Sequence, residues 1–194
     1  LGNIVKPHEL LERGVKGEVI RYAMLTGHYR APLDWNDTLI ERARTSLDRL
    51  YGVLRRFGRD AQAGETPEPV LNALRDDLNT PKALAALFEI AGRANKAQSE
   101  AERAAAVGEL KAAGDLLGLF QEDADAWFGL DALSEQRKRR IDRLLERRAA
   151  ARKQKDFATA DELRSRLSQS GIRAEDAPEG TTWRFEAGIA ELVG

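Results

Sequence analysis

The sequence has 194 residues, with 31 basic and 32 acidic side chains and a formal charge of -1. This charge excludes a protein that binds nucleic acid through a uniformly basic surface. The absence of cysteine excludes disulfides and thiolate metal sites, and with only two histidines we expect no metal site. No apolar stretch approaches the roughly 20 residues that cross a bilayer, so we expect a soluble, cytoplasmic protein without a membrane partner.

Two short helices are predicted at the start of the chain. Residues 8–13 form one helical turn that Gly14 ends, and residues 18–25 form a second helix. Residues 28–33 contain a proline and are predicted to form a loop before Asn36, a favourable N-cap for the next helix.

Apolar residues at three- and four-residue spacing then predict an antiparallel helical bundle over residues 35–120. The predicted elements are a helix beginning after Asn36, a linker at residues 58–69, a helix at residues 70–77, a helix beginning at Asn79-Thr80-Pro81, and a helix ending before Gly118.

The last third of the chain has a different composition. Residues 121–133 are acidic and aromatic and are predicted to be a linker, after which residues 134–173 carry 13 basic and 6 acidic residues. Two runs at residues 172–176 and 181–185 predict a short hairpin. The fold class is therefore mainly α: a bundle followed by a small mixed α/β module.

The sequence offers no set of residues for covalent or acid–base catalysis, so no catalytic residue is expected in this chain. Asp76 and Asp77 are adjacent, but successive positions of a helix point about 100° apart and cannot share one proton. They are interpreted as the end of one helix before the capped start of the next.

The segment most suited to binding is Arg152-Lys153-Gln154-Lys155-Asp156-Phe157-Ala158-Thr159-Ala160-Asp161. A guanidinium can meet guanine or phosphate acceptors, a carboxylate can accept from base N–H groups, and an exposed aromatic can stack on an unpaired base. Asp176 adds a second acceptor if the hairpin folds back. Phe157 is also in phase with Leu163 and Leu167, a periodicity that favours a core position, so both interpretations stay open.

Four blocks of sequence along the chain carry a family resemblance. They are Leu1-Gly2-Asn3, His28-Tyr29-Arg30-Ala31-Pro32-Leu33, Asp76-Asp77-Leu78-Asn79-Thr80-Pro81-Lys82-Ala83, and residues 152–161 with Gly171-Ile172 and residues 176–183. In this order they resemble the C-terminal portion of bacterial cysteinyl-tRNA synthetases. The resemblance extends over residues 1–184 and implies a chain that begins directly after the loop that closes over ATP, without the catalytic half.

The resemblance implies a division of the chain by function. Residues 1–34 are expected to be a stem-contact region, residues 35–120 an anticodon-binding bundle and residues 121–133 a linker. Residues 134–185 are expected to be an anticodon-reading module, followed by a tail at residues 186–194.

The resemblance also implies which side chains contact tRNA. They are Arg152, Phe157, Asp161 and Asp176 at the anticodon and, more weakly, His28, Tyr29 and Arg30 at the stem. Many relatives carry Trp at the position of Phe157. Because Phe offers a smaller face and no indole N–H, we expect weaker base stacking here.

Members of this family join cysteine to its tRNA through an adenylate. The resemblance implies that ATP, Mg²⁺ and one Zn²⁺ belong to the catalytic half, so no cofactor is expected in this chain. We expect the chain alone to be inactive, and to bind cysteine-specific tRNA as a monomer that does not bind DNA.

Two other functions are compatible with the sequence. A helical adaptor could bind a protein partner, but it has no use for base-edge groups at Arg152 and Asp176. A cysteine–amino-sugar ligase of mycothiol synthesis needs no anticodon, and such ligases end before the module that residues 134–185 resemble.

Overall fold

The helical patterns become nine α-helices and one two-stranded sheet in the residues that the structure describes, which confirms the mainly α class. The computed structural model describes residues 6–58, 61–131, 133–177 and 180–185, and for residues 175–177 and 180–182 it describes the backbone. The chain forms two compact units, Leu1–Gln121 and Glu122–Gly194. Across the described ranges, no helix combines the length and apolar character that a membrane span requires.

The described residues of the first unit form six helices. They are α1 (Pro7–Glu12), α2 (Gly17–Leu25), α3 (Asp37–Phe57), α4 (Glu68–Arg75), α5 (Thr80–Lys96) and α6 (Glu100–Leu117). The start of α3 is fixed because the Asn36 side chain accepts from the Leu39 amide at 2.8 Å. The Asn79 side chain caps α5 in the same way, and left-handed Gly118 ends α6. The predicted starts of α3 and α5 and end of α6 are confirmed.

The apolar stripes of these helices form the core. Helix α3 packs against α2, α5 and α6, and α5 also packs against α4 and α6. The fully buried side chains at these contacts include Leu47, Leu50, Tyr51, Leu87 and Leu110. Burial of such side chains is worth about 1.5–3 kcal/mol each, so the bundle is stabilised mainly by these stripes.

Helix α4 differs from its predicted range. It begins at Glu68 and not at Val70, because Pro69 is accommodated in the first helical turn, where its missing N–H has no partner. It ends at Arg75, and the predicted extension to Asp77 is wrong. Asp77 has a φ of +53°, a left-handed conformation that cannot continue the helix.

The linker before α4 is bound to the surface of α6. The Lys111 ammonium donates to the carbonyl oxygens of Gly58, at 2.6 Å, and of Ala61. The Gly64 amide donates to the Gly108 carbonyl at 2.9 Å. The described part of this proline- and glycine-containing segment is therefore held in place by backbone and lysine hydrogen bonds.

The second unit contains three helices and a hairpin in its described residues. They are α7 (Ala124–Trp127), α8 (Glu135–Lys153), α9 (Phe157–Gln169), β1 (Ile172–Ala177) and β2 (Gly180–Phe185). The predicted cap of α8 is confirmed, since Ser134 accepts from the Arg137 amide. Residues 121–133, expected to be a linker, contain α7 and the buried rings of Trp127 and Phe128.

The hairpin is antiparallel, with Ile172 opposite Phe185 and Asp176 opposite Thr181, as its sequence predicts. Trp183 is only 2% exposed, and its indole N–H donates to Asp142 Oδ1 of α8 at 3.0 Å. Strand β1 also packs against α9. The hairpin thus folds back on the helix pair, the condition under which Asp176 was expected to join the site.

Candidate nucleic-acid interface

The turn between α8 and α9 is built by a tight run of polar residues. Lys155 adopts a left-handed conformation with a φ of +61°. Asp156 then caps α9 by accepting from the Thr159 amide at 3.1 Å. Hydrogen bonds from Thr159 lower the pKa of Asp156 below its ordinary value of 3.8, because they stabilise the carboxylate. The start of α9 therefore stays fixed and anionic at neutral pH.

Phe157 is the first residue of α9, and its side chain is 63% exposed. Ala160, Leu163 and Leu167 of the same helix are buried. Of the two interpretations that the sequence leaves open for Phe157, the core position is therefore wrong. At the first position of the helix its ring lies beyond the packed stripe and is available to a ligand.

Two of the predicted anticodon residues accompany the ring. Asp161 is exposed and follows Phe157 by one helical turn, so both lie on one side of α9. Arg152 is exposed in the last turn of α8, just before the turn that leads into α9. Arg164 continues the same side of α9 and is exposed. Sequence analysis missed Arg164, although its seven-residue spacing from Phe157 places it there.

Asp176 lies in β1, and its side chain is outside the described residues. Its backbone position is informative, because the chain turns at Gly171 and β1 then packs against α9. The 13 residues of α9 rise about 20 Å, and a six-residue strand spans about 20 Å. These lengths allow the hairpin end of β1 to return to the Phe157 end of α9.

The basic charge of this unit is divided between structural and exposed side chains. Lys138 is buried and binds Asp125 at 2.8 Å and Glu135 at 3.1 Å. The hydrogen bond that Lys138 donates to Asp125 raises the pKa of Lys138, which keeps it charged. Arg139, Arg140, Arg143 and Arg147, in contrast, are exposed on α8. Exposed cations of this kind attract a polyanion.

The predicted stem-contact residues lie together in the first unit, on the loop after α2. The rings of His28 and Tyr29 stack with centroids 4.9 Å apart, and the Arg30 guanidinium lies 5.2 Å from the Tyr29 centroid. Asp77 accepts from the Tyr29 hydroxyl at 2.8 Å and lies 3.3 Å from Arg30. Sequence analysis missed this role of Asp77, since 48 residues separate it from Tyr29.

The family resemblance implies zinc and magnesium only in the catalytic half, and the described residues of this chain offer no ligand cluster for either metal. No three His, Asp or Glu side chains among them come together as a metal site, and the sequence has no cysteine. These residues do not fit a zinc or magnesium centre, and no chemistry of this chain is derived through one.

Comparison with known proteins gives a consistent result for both units. Residues 69–121 match the DALR domain, and residues 136–184 match the cysteinyl-tRNA ligase anticodon binding domain. Over 185 residues, covering 95% of the chain, the sequence is 53% identical to the cysteine–tRNA ligase of Maricaulis maris. The chain belongs to the cysteinyl-tRNA ligase family.

Other relatives agree. Cysteine–tRNA ligases of Caulobacter vibrioides and Rhodospirillum rubrum are 48% and 49% identical, over 96% and 95% of this chain. The chain spans about 40% of the length of these cysteinyl-tRNA ligases and matches their C-terminal portion. Arg152, Phe157, Asp161 and Asp176 all fall inside the range matched to the anticodon binding domain.

Proposed function

We propose that this chain binds the tRNA of cysteine and reads its anticodon, as part of a ligase that joins cysteine to that tRNA with ATP. The observation that carries the proposal is the exposed ring of Phe157, flanked by Arg152 and Asp161, within the residues matched to an anticodon binding domain. A largely exposed phenylalanine on a charged helix end contributes little to folding and suits an unpaired base.

Each side chain of this group has a separate role. The ring of Phe157 stacks on a splayed base, and Arg152 donates to base or phosphate acceptors. Asp161 and Asp176 accept from base N–H groups, which distinguish one base from another. Asp156 shapes the turn and holds the first residue of α9 in place.

The remaining parts of the chain support this activity. Residues 1–34 contact the tRNA stem through His28, Tyr29 and Arg30, and residues 35–120 provide the bundle. Residues 134–185 read the anticodon after the connection at residues 121–133, and the expected tail at residues 186–194 lies outside the described residues. We propose a cytoplasmic monomer that selects cysteine tRNA over DNA, whose ATP, Mg²⁺ and Zn²⁺ are held by the rest of the ligase.

The match of residues 136–184 to an anticodon binding domain argues against the two alternative functions. Neither a protein-binding adaptor nor a cysteine–amino-sugar ligase needs a module of this kind. A polyanion ligand also agrees with the exposed arginines of α8.

The proposal is tested by titrating labelled RNA stem-loops with the chain and its variants. The wild type is expected to prefer the cysteine anticodon stem-loop to one with a changed anticodon. Arg152→Ala should abolish most of that preference, because one base-specific contact is worth about 1–3 kcal/mol. Arg152→Lys keeps the charge without the planar fork and is expected to recover affinity but little discrimination.

Arg166→Ala is the matched control. Arg166 is also an exposed arginine of the second unit, and it lies 3.9 Å from Glu162 of its own helix. Its loss is expected to weaken both RNAs equally. A wild type without any anticodon preference contradicts the proposal, as does an equal loss of preference in both alanine variants.

A further inference from the structure

One carboxylate joins two loops of the first unit. Asp77 binds the Tyr29 hydroxyl at 2.8 Å through Oδ1 and the Arg30 guanidinium at 3.3 Å through Oδ2. The Thr80 hydroxyl donates to the Gly27 carbonyl at 3.4 Å and adds a second link between the same loops. The loop that carries Tyr29 is therefore held by the turn between α4 and α5.

That turn has an unusual backbone. Asp77 and Leu78 have φ values of +53° and +52°, so two consecutive residues other than glycine are left-handed. Such residues are strained where the surroundings do not favour them, and they cluster at functional sites. Aspartate tolerates this conformation better than most residues. Leu78 is 57% exposed, so burial of its side chain does not account for the geometry.

The link produces an ordered and accessible surface. Tyr29 is 58% exposed, with the His28 ring stacked on it at 4.9 Å and an interplanar angle of 27°. The Arg30 guanidinium lies over the same ring. A flat ring beside a guanidinium suits the sugar–phosphate backbone of RNA. Long exposed side chains lose rotamer freedom on binding, and that loss is smaller when they are already held.

We propose that Asp77 is a positioning residue, which holds Tyr29 and Arg30 in place so that they bind the sugar–phosphate backbone of a tRNA stem. The inference rests on the proposed function for the identity of its ligand. Asp77 itself is an anion, and simple electrostatics predicts that its removal strengthens RNA binding. A positioning role predicts the opposite sign.

The decisive comparison is between Asp77→Asn and Asp76→Asn, measured by fluorescence anisotropy with a full-length cysteine tRNA transcript. Both variants remove one negative charge from the same turn, but Asp76 faces Lys82, 3.9 Å away. We expect Asp77→Asn to weaken binding by about three- to tenfold, within the range of a single contact network. Asp76→Asn is expected to leave the affinity unchanged or to raise it.

Two further readouts separate positioning from a general structural effect. Asp77 raises the pKa of Tyr29 above its ordinary value of 10.0 by accepting its hydrogen bond. Spectrophotometric titration of Asp77→Asn should therefore show this phenol ionising at lower pH, with Tyr29→Phe assigning the transition. If Asp77 acts through Arg30, the double variant Asp77→Asn/Arg30→Gln should lose less affinity than the product of the two single effects.

The outcomes that overturn the inference are specific. Equal tightening by both asparagine variants shows that Asp77 only repels RNA, and fully multiplicative losses with Arg30→Gln show that it acts independently. If Asp77→Asn lowers the melting temperature, Tyr29→Phe is used as the test variant instead. This substitution removes only the hydroxyl that Asp77 binds, and it should also weaken RNA binding. An unchanged affinity in Tyr29→Phe then overturns the inference.

The anticodon stem-loop distinguishes this failure from failure of the proposed function. If the wild type does not bind the stem-loop selectively, the proposed function fails and the inference loses its ligand. If stem-loop binding is intact while Asp77→Asn leaves the affinity for the full-length transcript unchanged, only the positioning role is wrong.

Discussion

Phe157 combines an apolar ring with a position that solvent reaches. Because the ring is 63% exposed, its removal should cost little stability. Stacking of a base on an aromatic ring is worth about 1–3 kcal/mol. We therefore predict that Phe157→Ala weakens binding of the cysteine anticodon stem-loop by that amount while the melting temperature stays close to that of the wild type. Phe157→Trp should bind at least as tightly, because indole offers a larger face.

Leu163→Ala provides the matched control on the same helix. Leu163 is 3% exposed, and truncation of a buried leucine costs about 2–5 kcal/mol through lost burial and the cavity left behind. This variant should lower the melting temperature more than Phe157→Ala. A large drop in melting temperature for Phe157→Ala would show that the ring belongs to the core, and it would contradict the role of the ring in stacking.

The surroundings of Phe157 and Asp77 could not be predicted fully from the sequence. The spacing of Phe157, Leu163 and Leu167 fixes their angle around α9, but it contains no information about where the neighbouring layer ends. The ring is exposed because it stands at the first helical position, on the side of α9 that carries exposed Asp161 and Arg164. Asp77 was likewise assigned only to a helix end, since its contact with Tyr29 depends on tertiary structure across 48 residues.

At the scale of an element, alanine substitutions at two of the helical glycines, Gly92 and Gly114, are expected to have opposite effects on stability. A Cβ on Gly114 of α6 would lie 2.0 Å from the Phe120 ring, which packs edge-on against Tyr51. Gly114→Ala should therefore destabilise the chain by about 1–3 kcal/mol, as overpacking does. Gly92 of α5 has nothing within 4 Å of a Cβ, and Gly92→Ala should stabilise it by about 0.5–1 kcal/mol.

Urea unfolding followed by circular dichroism measures both changes. The comparison controls for helix propensity, because each variant replaces a helical glycine with alanine. Equal stabilisation by the two variants would contradict the close approach of Phe120 to α6.

The N-cap of α9 predicts a pH dependence. Hydrogen bonds from Thr159 lower the pKa of Asp156 in the folded protein, so its stabilisation is present above the ordinary value of 3.8. It is lost as the pH falls through the folded value. We predict that Asp156→Asn is less stable than the wild type near pH 6 and that the difference shrinks below pH 4.

Tryptophan fluorescence in a Trp35→Phe background can follow this change, because Trp127 and Trp183 both belong to the second unit. Asp131→Asn, which removes an exposed carboxylate from the same unit, controls for general charge effects. A stability difference that grows on acidification would contradict the assigned role of Asp156.

Most elements could be predicted because their signals are local. Asn36, Asn79 and Ser134 combine cap chemistry with a following helical stripe, and the structure places helix starts directly after them. Helix α7 was missed because it has only four residues and lies in an acidic segment. The ring of Trp127 is buried, but a single helical turn is too short to show a periodic pattern in the sequence.

At the scale of the whole molecule, a near-neutral chain concentrates its basic charge in one segment, residues 134–173. Residues 134–173 carry 13 basic and 6 acidic residues, so contacts with RNA phosphates should release counterions. We predict that the logarithm of the binding constant for a stem-loop falls linearly with the logarithm of the salt concentration. The slope should be near -0.7 for each phosphate contacted. Base-specific contacts contribute little to that slope, so the preference for the cysteine anticodon should persist as the salt concentration rises.

The central claim is that this chain distinguishes one anticodon from another. The most direct measurement is the ratio of its dissociation constants for the cysteine anticodon stem-loop and for a stem-loop with a changed anticodon, at two salt concentrations. We predict a ratio of about tenfold or more in favour of the cysteine stem-loop, equal at both salt concentrations while the individual affinities fall. Equal affinities for the two stem-loops at low salt would contradict it.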